Sequence, residues 1–244
     1  MRRAAPSSKA EAIRRPRSRR VVVPADGETS KRRIYQSLKR AIVEMDIYGT
    51  EEPVELGERR ISKEYGVSRT PVREAIAMLE YEGFVRTIPR RGVVVVRKTR
   101  DQIIEIIEAW AALEAIAARL VATKSTDEDV AALREIFTGF EADGLVCEAL
   151  DEYSQANIAF HQAIIRLSGS QTLVDLTEDL LLHVRAIRRI AIGQAERRQR
   201  SIDDHFGIID AIERRDADRA ERLSRQHTLG LAAFVETHGD RIFG

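Results

Sequence analysis

The stretch Gly66-Val67-Ser68-Arg69-Thr70-Pro71-Val72-Arg73-Glu74-Ala75 decides how the first third of this chain is read. Gly66 can end a helix in the left-handed region, and Ser68 or Thr70 can cap the next one. Pro71 is tolerated in a first helical turn, where its missing N–H costs nothing. Upstream, a helix-length segment runs from about Glu58 to Tyr65. Downstream, Ala75, Ile76 and Leu79 keep a helical period to about Glu82, and Gly83 stops it. Before this pair, Ile34, Leu38, Ala41, Ile42 and Met45 mark one face of a further helix. After it, Phe84 to Ile88 and Val93 to Val96 flank Pro89-Arg90-Arg91-Gly92, the pattern of a β-hairpin. The order helix, helix, turn, helix, hairpin is that of a winged helix-turn-helix.

In such a module the second helix of the pair enters the major groove of double-stranded DNA, its N-terminal residues at the base edges. Here those residues are Ser68, Arg69, Thr70 and Arg73. Arg69 and Arg73 share a helix face, and a guanidinium can bind guanine O6 and N7 bidentately. The hydroxyls of Ser68 and Thr70, at a helix N-terminus, suit phosphate oxygens. Arg59 and Arg60 open the preceding helix within reach of the backbone, and Arg90 and Arg91 beside Gly92 form a wing tip.

The chain has 244 residues, 43% hydrophobic and 32% charged, enough to bury a core and too aliphatic for disorder throughout. Residues 1–97 carry a net charge of +9 and residues 98–244 a net of −8, so the overall +1 hides a basic front and an acidic back. That asymmetry fits a polyanion-binding module joined to a second unit. Residues 1–30 combine eight Lys/Arg with three Asp/Glu and scattered Pro and Ser, and read as a disordered basic arm. No apolar run approaches the length of a membrane helix, and no apolar segment follows the N-terminal arginines as a secretory signal requires. The single cysteine, Cys147, excludes an internal disulfide and a Cys-based zinc site, and fits a cytoplasmic protein.

Residues 98–244 show helical stripes only. Ile103, Ile107, Trp110 (or Ala111), Ala117 and Val121 mark a long helix, and Ser125 with Glu128 suggests a capping box for the next. Val146, Leu150, Tyr153, Asn157, Phe160 and Ile164 form a third stripe, and Leu173, Leu176, Leu180, Val184 and Ile187 a fourth. Two final helices surround His205 and His227. The fold expected is mainly α: a winged helix-turn-helix over 31–97 and an antiparallel helical bundle over 98–244.

The polar residues on these stripes carry the chemistry. Asn157 and His161 lie four apart on an inward face. His205 and His227 each lie eleven residues from Asp216, a good N-cap at the turn between the last two helices, so an antiparallel hairpin sets them at similar heights. Three imidazoles and an amide oxygen converging in a bundle could ligate a divalent metal such as zinc or nickel. The alternative is three separate core histidines, each satisfied by a carbonyl or water. His183 and His238 fit no such pattern and read as surface residues. A metal-dependent hydrolase would use the same ligands, but no inward Glu or Asp is evident beside them as a general base.

The run Gly66 to Ala75, with Leu79-Glu80, Gly83 and the wing Pro89-Arg90-Arg91-Gly92, resembles the GntR family of bacterial transcription regulators. The resemblance implies operator contacts by Arg59, Arg69 and Arg73 and a minor-groove contact at the wing tip, at Arg91. The usual Pro-Gly before the second helix is here Glu52-Pro53-Val54-Glu55, so that loop differs. Asn157-Ile158-Ala159-Phe160-His161, Asp204-His205, Asp210-Ala211-Ile212, Asp216 to Ala220 and His227 resemble the FCD effector domain of the FadR subfamily. That likeness implies a bundle of six or seven helices binding a small organic acid, in many members beside a metal held by an Asp or Asn and three His. The matching residues are Asn157, His161, His205 and His227. Asn157 in place of the commoner Asp weakens capture of a hard cation. Trp110 stands where many members carry an arginine, and Arg185, Arg188 or Arg189 could supply the missing charge. The effector contacts expected are Trp110, Tyr153, Asn157, Arg185 and Arg189. The reading is a homodimeric, ligand-responsive regulator, in its repressor form released from a palindromic operator by a small carboxylate. A regulator for which the ion itself is the signal is the alternative.

Overall fold

The computed structural model of the chain describes residues 30–49, 52–140 and 150–243. The basic arm lies outside these residues apart from Ser30, as do Val146 of the third stripe and Cys147.

The head begins with α1 (Ser30–Val43), which buries Ile34, Leu38 and Ile42 along one face. α2 (Glu58–Tyr65) ends at Gly66, whose φ of 65° only glycine adopts without strain. α3 (Arg69–Tyr81) has extended Ser68 at its N-cap and packs Val72, Ala75, Ile76 and Leu79 against α1 and α2. β2 (Val85–Ile88) and β3 (Gly92–Val95) form the hairpin, its turn closed by Arg90 at φ 66° and Gly92 at φ 109°.

One strand escaped the sequence reading. Glu55 and Leu56 form β1 (Glu55–Leu56), which pairs with the far edge of β3, so the sheet has the order β1-β3-β2. The reason is visible in β3: Val93, Val94 and Val95 are all buried, without the alternation of an edge strand. β3 is covered on both faces, as its continuous apolar run implies, and it lies between β1 and β2. The Glu52–Glu55 loop therefore delivers a strand to the wing.

Four residues after β3, α4 (Arg100–Lys124) opens the bundle under a capping box: Thr99 Oγ1 accepts from Gln102 N at 3.3 Å, and Gln102 Oε1 accepts from Thr99 N at 3.0 Å. α5 (Asp127–Glu135) has its capping box at Thr126 and Asp129, one residue later than Ser125 and Glu128 suggest. Ser125 is occupied elsewhere: its N–H bonds Val121 O as the C-cap of α4, and its hydroxyl donates to Leu167 O. α6 (Leu150–Leu167), α7 (Gln171–Ile192), α8 (Ala195–Glu213), α9 (Ala217–His238) and the short α10 (Asp240–Phe243) complete the bundle. α4 is its central rod, packed along α9 and touching α6, α7 and α8. The α8–α9 turn is set by Asp216, whose carboxylate accepts from Arg219 N at 3.0 Å. Among the described residues, no helix is long and apolar enough to cross a membrane.

Head and bundle are joined by buried polar contacts. The Tyr48 hydroxyl meets His183 Nδ1 on α7 at 2.9 Å and accepts from Lys98 N at 3.1 Å. Phe243 packs edge-on against the Tyr48 ring. Lys39 of α1 pairs with Glu82 at 3.0 Å and with Asp179 of α7 at 3.3 Å. His183 is therefore no surface residue. Burial in this joint pushes its imidazole down to about 4. His238 is half-buried, stacked on Phe234 with its Nδ1 at Phe234 O.

Candidate functional site

The inward stripes of α6, α8 and α9 bring His161, His205 and His227 together, all buried, with one ring nitrogen of each within 4.8 Å of the others. His161 and His227 stack with centroids 5.2 Å apart, and His205 and His227 stand 4.5 Å apart. Phe137 and Phe160 wall the cluster from one side, each 4.7 Å from the His205 ring.

The outer nitrogen of each ring is held by an oxygen. His161 Nδ1 meets Glu114 Oε1 of α4, and His227 Nδ1 meets Asp204 Oδ2 at 3.0 Å. A carboxylate only accepts, so both rings carry their proton on Nδ1. Tyr153 donates its hydroxyl hydrogen to Ser201 Oγ at 3.0 Å, which leaves its oxygen to accept from His205 Nδ1 at 3.3 Å. With Nδ1 protonated in each ring, Nε2 is left as a lone pair, and one nitrogen of each ring is available to a common centre. His161 Nε2 and His205 Nε2 stand 3.3 Å apart, two acceptors in need of a proton or a cation between them. Burial, reinforced by the positive charge of Arg188 and by the neighbouring rings, holds His161 and His205 well below the usual imidazole value. Burial lowers His227 too, against the opposing pull of Asp204. The rings are neutral, the form that binds metal. Asn157, one turn before His161, is buried with its Oδ1 unpartnered among the described residues. Three imidazole nitrogens, an idle amide oxygen and oxygens orienting every ring fit a divalent ion.

The carboxylates correct one expectation. The sequence shows no acid beside the cluster, yet Glu114 and Asp204 both serve it. Glu114 is 1% exposed and also ties Arg188 at 3.3 Å and Thr228 at 2.6 Å through Oε2. In sequence it is one of several glutamates spread along α4. Only its place four residues after Trp110, on the face turned to α6, α7 and α9, hints at its burial.

A narrow cavity beside the cluster is lined by Asn157, Arg188, Arg197, Ser201, His227 and Thr228, with room at its centre for about one water. Its arginines differ from those expected. Arg189 is exposed, and Arg185 sits half-buried beside Arg189, under the influence of Glu44 of the head. Neither lines the cavity, because the inward face of α7 at this height belongs to Arg188. Tyr153 acts through His205 and does not line the cavity. Trp110 is a buried neighbour of Arg188, whose guanidinium carbon lies 6.0 Å from its ring; Trp110 Nε1 has no partner among the described residues.

In the head, Ser68, Arg69, Thr70 and Arg73 lie exposed at the start of α3, Arg59 and Arg60 are exposed on α2, and Arg90, Arg91 and Gly92 form the wing tip. Ser68 makes no side-chain capping bond, so its hydroxyl is not committed to the helix. Arg73 Nε is held by Glu58 at 3.0 Å, and Arg91 Nε by Glu55 at 3.2 Å.

The chain matches two family descriptions, "Bacterial regulatory proteins, gntR family" over residues 30–95 and "FCD domain" over residues 105–230. It is 33% identical over 187 residues to the Uxu operon regulator of Haemophilus influenzae, covering 70% of this chain and 69% of that one. It is 28% identical to the HTH-type transcriptional repressor RspR of Escherichia coli, covering 83% of this chain and 87% of that one. To the repressor GlaR of the same organism it is 30% identical, covering 69% and 80%. Among solved structures, Escherichia coli McbR/YncC superposes with a TM-score of 0.68 at 20% identity, over 86% of this chain and 98% of that one, a likeness of fold. The relatives are transcription regulators, not enzymes, and this chain belongs with them, to the GntR family of bacterial regulatory proteins, with an FCD domain behind its DNA-binding head.

Proposed function

We propose that the chain is an acid-responsive repressor that reads a palindromic operator as a homodimer and leaves it when a small organic acid occupies the bundle cavity. The observation that carries this reading is the inward convergence of three oriented Nε2 lone pairs beside an idle Asn157 Oδ1. A structural core has no use for facing acceptors, whereas a site for a cation and its anionic partner does. Asn157, His161, His205 and His227 would hold a divalent ion, zinc or nickel, which when bound supplies an electrophilic position for a carboxylate. Arg188 adds positive charge to the cavity wall, and Trp110 backs it.

In the head, Arg69 and Arg73 read base edges, while Ser68 and Thr70 take phosphates at the helix N-terminus. Arg59 and Arg60 flank the groove, and Arg90 and Arg91 carry the wing to the minor groove beside Gly92. One such head covers few base pairs, so a dyad-related pair supplies specificity. The acid shifts the balance between dimer geometries that do and do not match the half-site spacing. The repressor names of RspR and GlaR support the sign of regulation.

The test is fluorescence anisotropy on an operator selected from random duplexes, with metal content read by mass spectrometry of protein purified without chelator. Bound divalent metal and weaker operator binding with a panel of short carboxylates are expected. Operator affinity indifferent to every acid and to His161→Ala overturns the reading. A response to Zn²⁺ alone would make the ion the signal.

A further inference from the structure

The two arginines of the cavity are not equivalent. Arg188 has its charge paired: Nη2 donates to Glu114 Oε2 at 3.3 Å and to Thr228 Oγ1 at 3.3 Å, while its buried Nε has no hydrogen-bond partner among the described residues. Arg197, near the start of α8, lines the same cavity half-buried and makes no hydrogen bond or ion pair among the described residues. The carboxylate on its own helix nearest to the cluster, Asp204, is already bonded to His227 Nδ1 at 3.0 Å.

Arg197 also has a prepared seat. Its guanidinium lies over Gly230 in the middle of α9: a β-carbon at that position would fall 2.7 Å from Nη1 and 3.4 Å from Nη2. Gly230 is helical, so the backbone does not call for glycine there, and glycine inside a helix is a weaker choice than alanine. The arginine lying on it is what a β-carbon there would meet. Here the missing side chain lets a long cation lie flat against the helix, beside the cavity, with Asp204 as its opposite charge but no bonded partner. A partly desolvated cation whose opposite charge, Asp204, is bonded to His227 instead gains when an anion meets it directly.

We infer that the effector carries two anionic groups, one received at the histidine end of the cavity and the second by Arg197 on its Gly230 seat. The class is a short dicarboxylate; the cavity, with room at its centre for about one water, must widen to receive it, which favours the smallest members. This inference rests on the reading of the cavity as the acid site.

The experiment is calorimetric titration of the full chain, supplied with Zn²⁺, using malonate, succinate and glutarate against acetate, propionate and butyrate. At least one dicarboxylate should bind about tenfold or more tighter than every monocarboxylate, the scale of one charge-assisted contact. Arg197→Gln should erase that advantage while leaving monocarboxylate affinity within about twofold. Gly230→Ala keeps the arginine but fills its seat; it should reduce the advantage with an unchanged or higher melting temperature. Equal affinity for both series in the unaltered chain, or a preference that survives Arg197→Gln, overturns the inference. If monocarboxylates bind, depend on His161, and are not bettered by dicarboxylates, the acid site stands and only the two-anion inference falls. If neither series binds, both fall.

Discussion

Replacing Glu114 by alanine tests the centre of the bundle. The side chain is 1% exposed and serves three partners: His161 Nδ1 on Oε1, and Thr228 Oγ1 at 2.6 Å and Arg188 Nη2 at 3.3 Å on Oε2. Glu114→Ala leaves a guanidinium that is 5% exposed without its carboxylate. Removing one partner of a buried pair costs about 3–5 kcal/mol, because the remaining charge stays desolvated. The stranded Thr228 hydroxyl and His161 N–H belong to the same network and are not counted again. A loss of that size is a large share of the roughly 5–15 kcal/mol that holds a typical domain. Urea unfolding followed by circular dichroism, in chelator, reads it directly. Adding Arg188→Met removes the stranded charge and should recover about half of the loss or more. His161 also loses the acceptor that fixes its tautomer, so divalent metal affinity should fall about 10–100-fold in any variant that stays folded. A Glu114→Ala loss below about 1 kcal/mol, or a double variant no better than the single one, would refute the account of a charge-bearing hub.

Further outcomes follow from the head, the joint and the ring charges. Arg69→Ala should weaken operator binding by about 1–3 kcal/mol and relax preference at one position of each half-site, read by anisotropy on single-base variants. Glu58→Ala frees Arg73 and should tighten binding at low salt, the gain fading as salt rises. Tyr48→Phe strands His183 and the Lys98 N–H and should cost about 1–3 kcal/mol in urea unfolding. His161, His183, His205 and His227 are all lowered by burial, so below about pH 6.5 the unfolded chain takes up protons that the folded chain refuses. Stability of chelated protein is therefore full above that pH and falls beneath it, by up to about 1.4 kcal/mol per pH unit for each ring. Unfolding midpoints that stay flat from pH 7.5 to 5.5 would contradict the neutral, buried cluster.

What could be read in the sequence was whatever repeats with the period of its own element. The stripes of α6, α8 and α9 point Asn157, His161, His205 and His227 inward because helical spacing fixes direction, and Asp216 marks the turn that equalises two of their heights. The α2–Gly66–α3 corner was legible for the same local reason. Glu114 was not, since the burial of a glutamate depends on which helices close over it, and α4 is covered by four others. The same applies to Arg188 against Arg185 and Arg189: three cations within one turn and a half, and only packing decides which of them faces in. β1 was missed because two residues carry no period; the strand exists only as a partner for β3. His183 was misplaced because its partner, Tyr48, lies in the other half of the chain.

The joint has a consequence for exchanging parts between relatives. His183, which meets the head, and Arg188, which lines the cavity, sit five residues apart on one helix, and only four residues separate β3 from α4. A recombinant regulator spliced near residue 98 would inherit a bundle whose α7 offers an imidazole and an acidic pair, Glu178 and Asp179, to whatever head is grafted on. A donor head lacking counterparts of Tyr48 and Lys39 would leave those groups unmatched and the joint without its buried polar contacts. A hybrid that carries both sides of this joint together keeps those contacts.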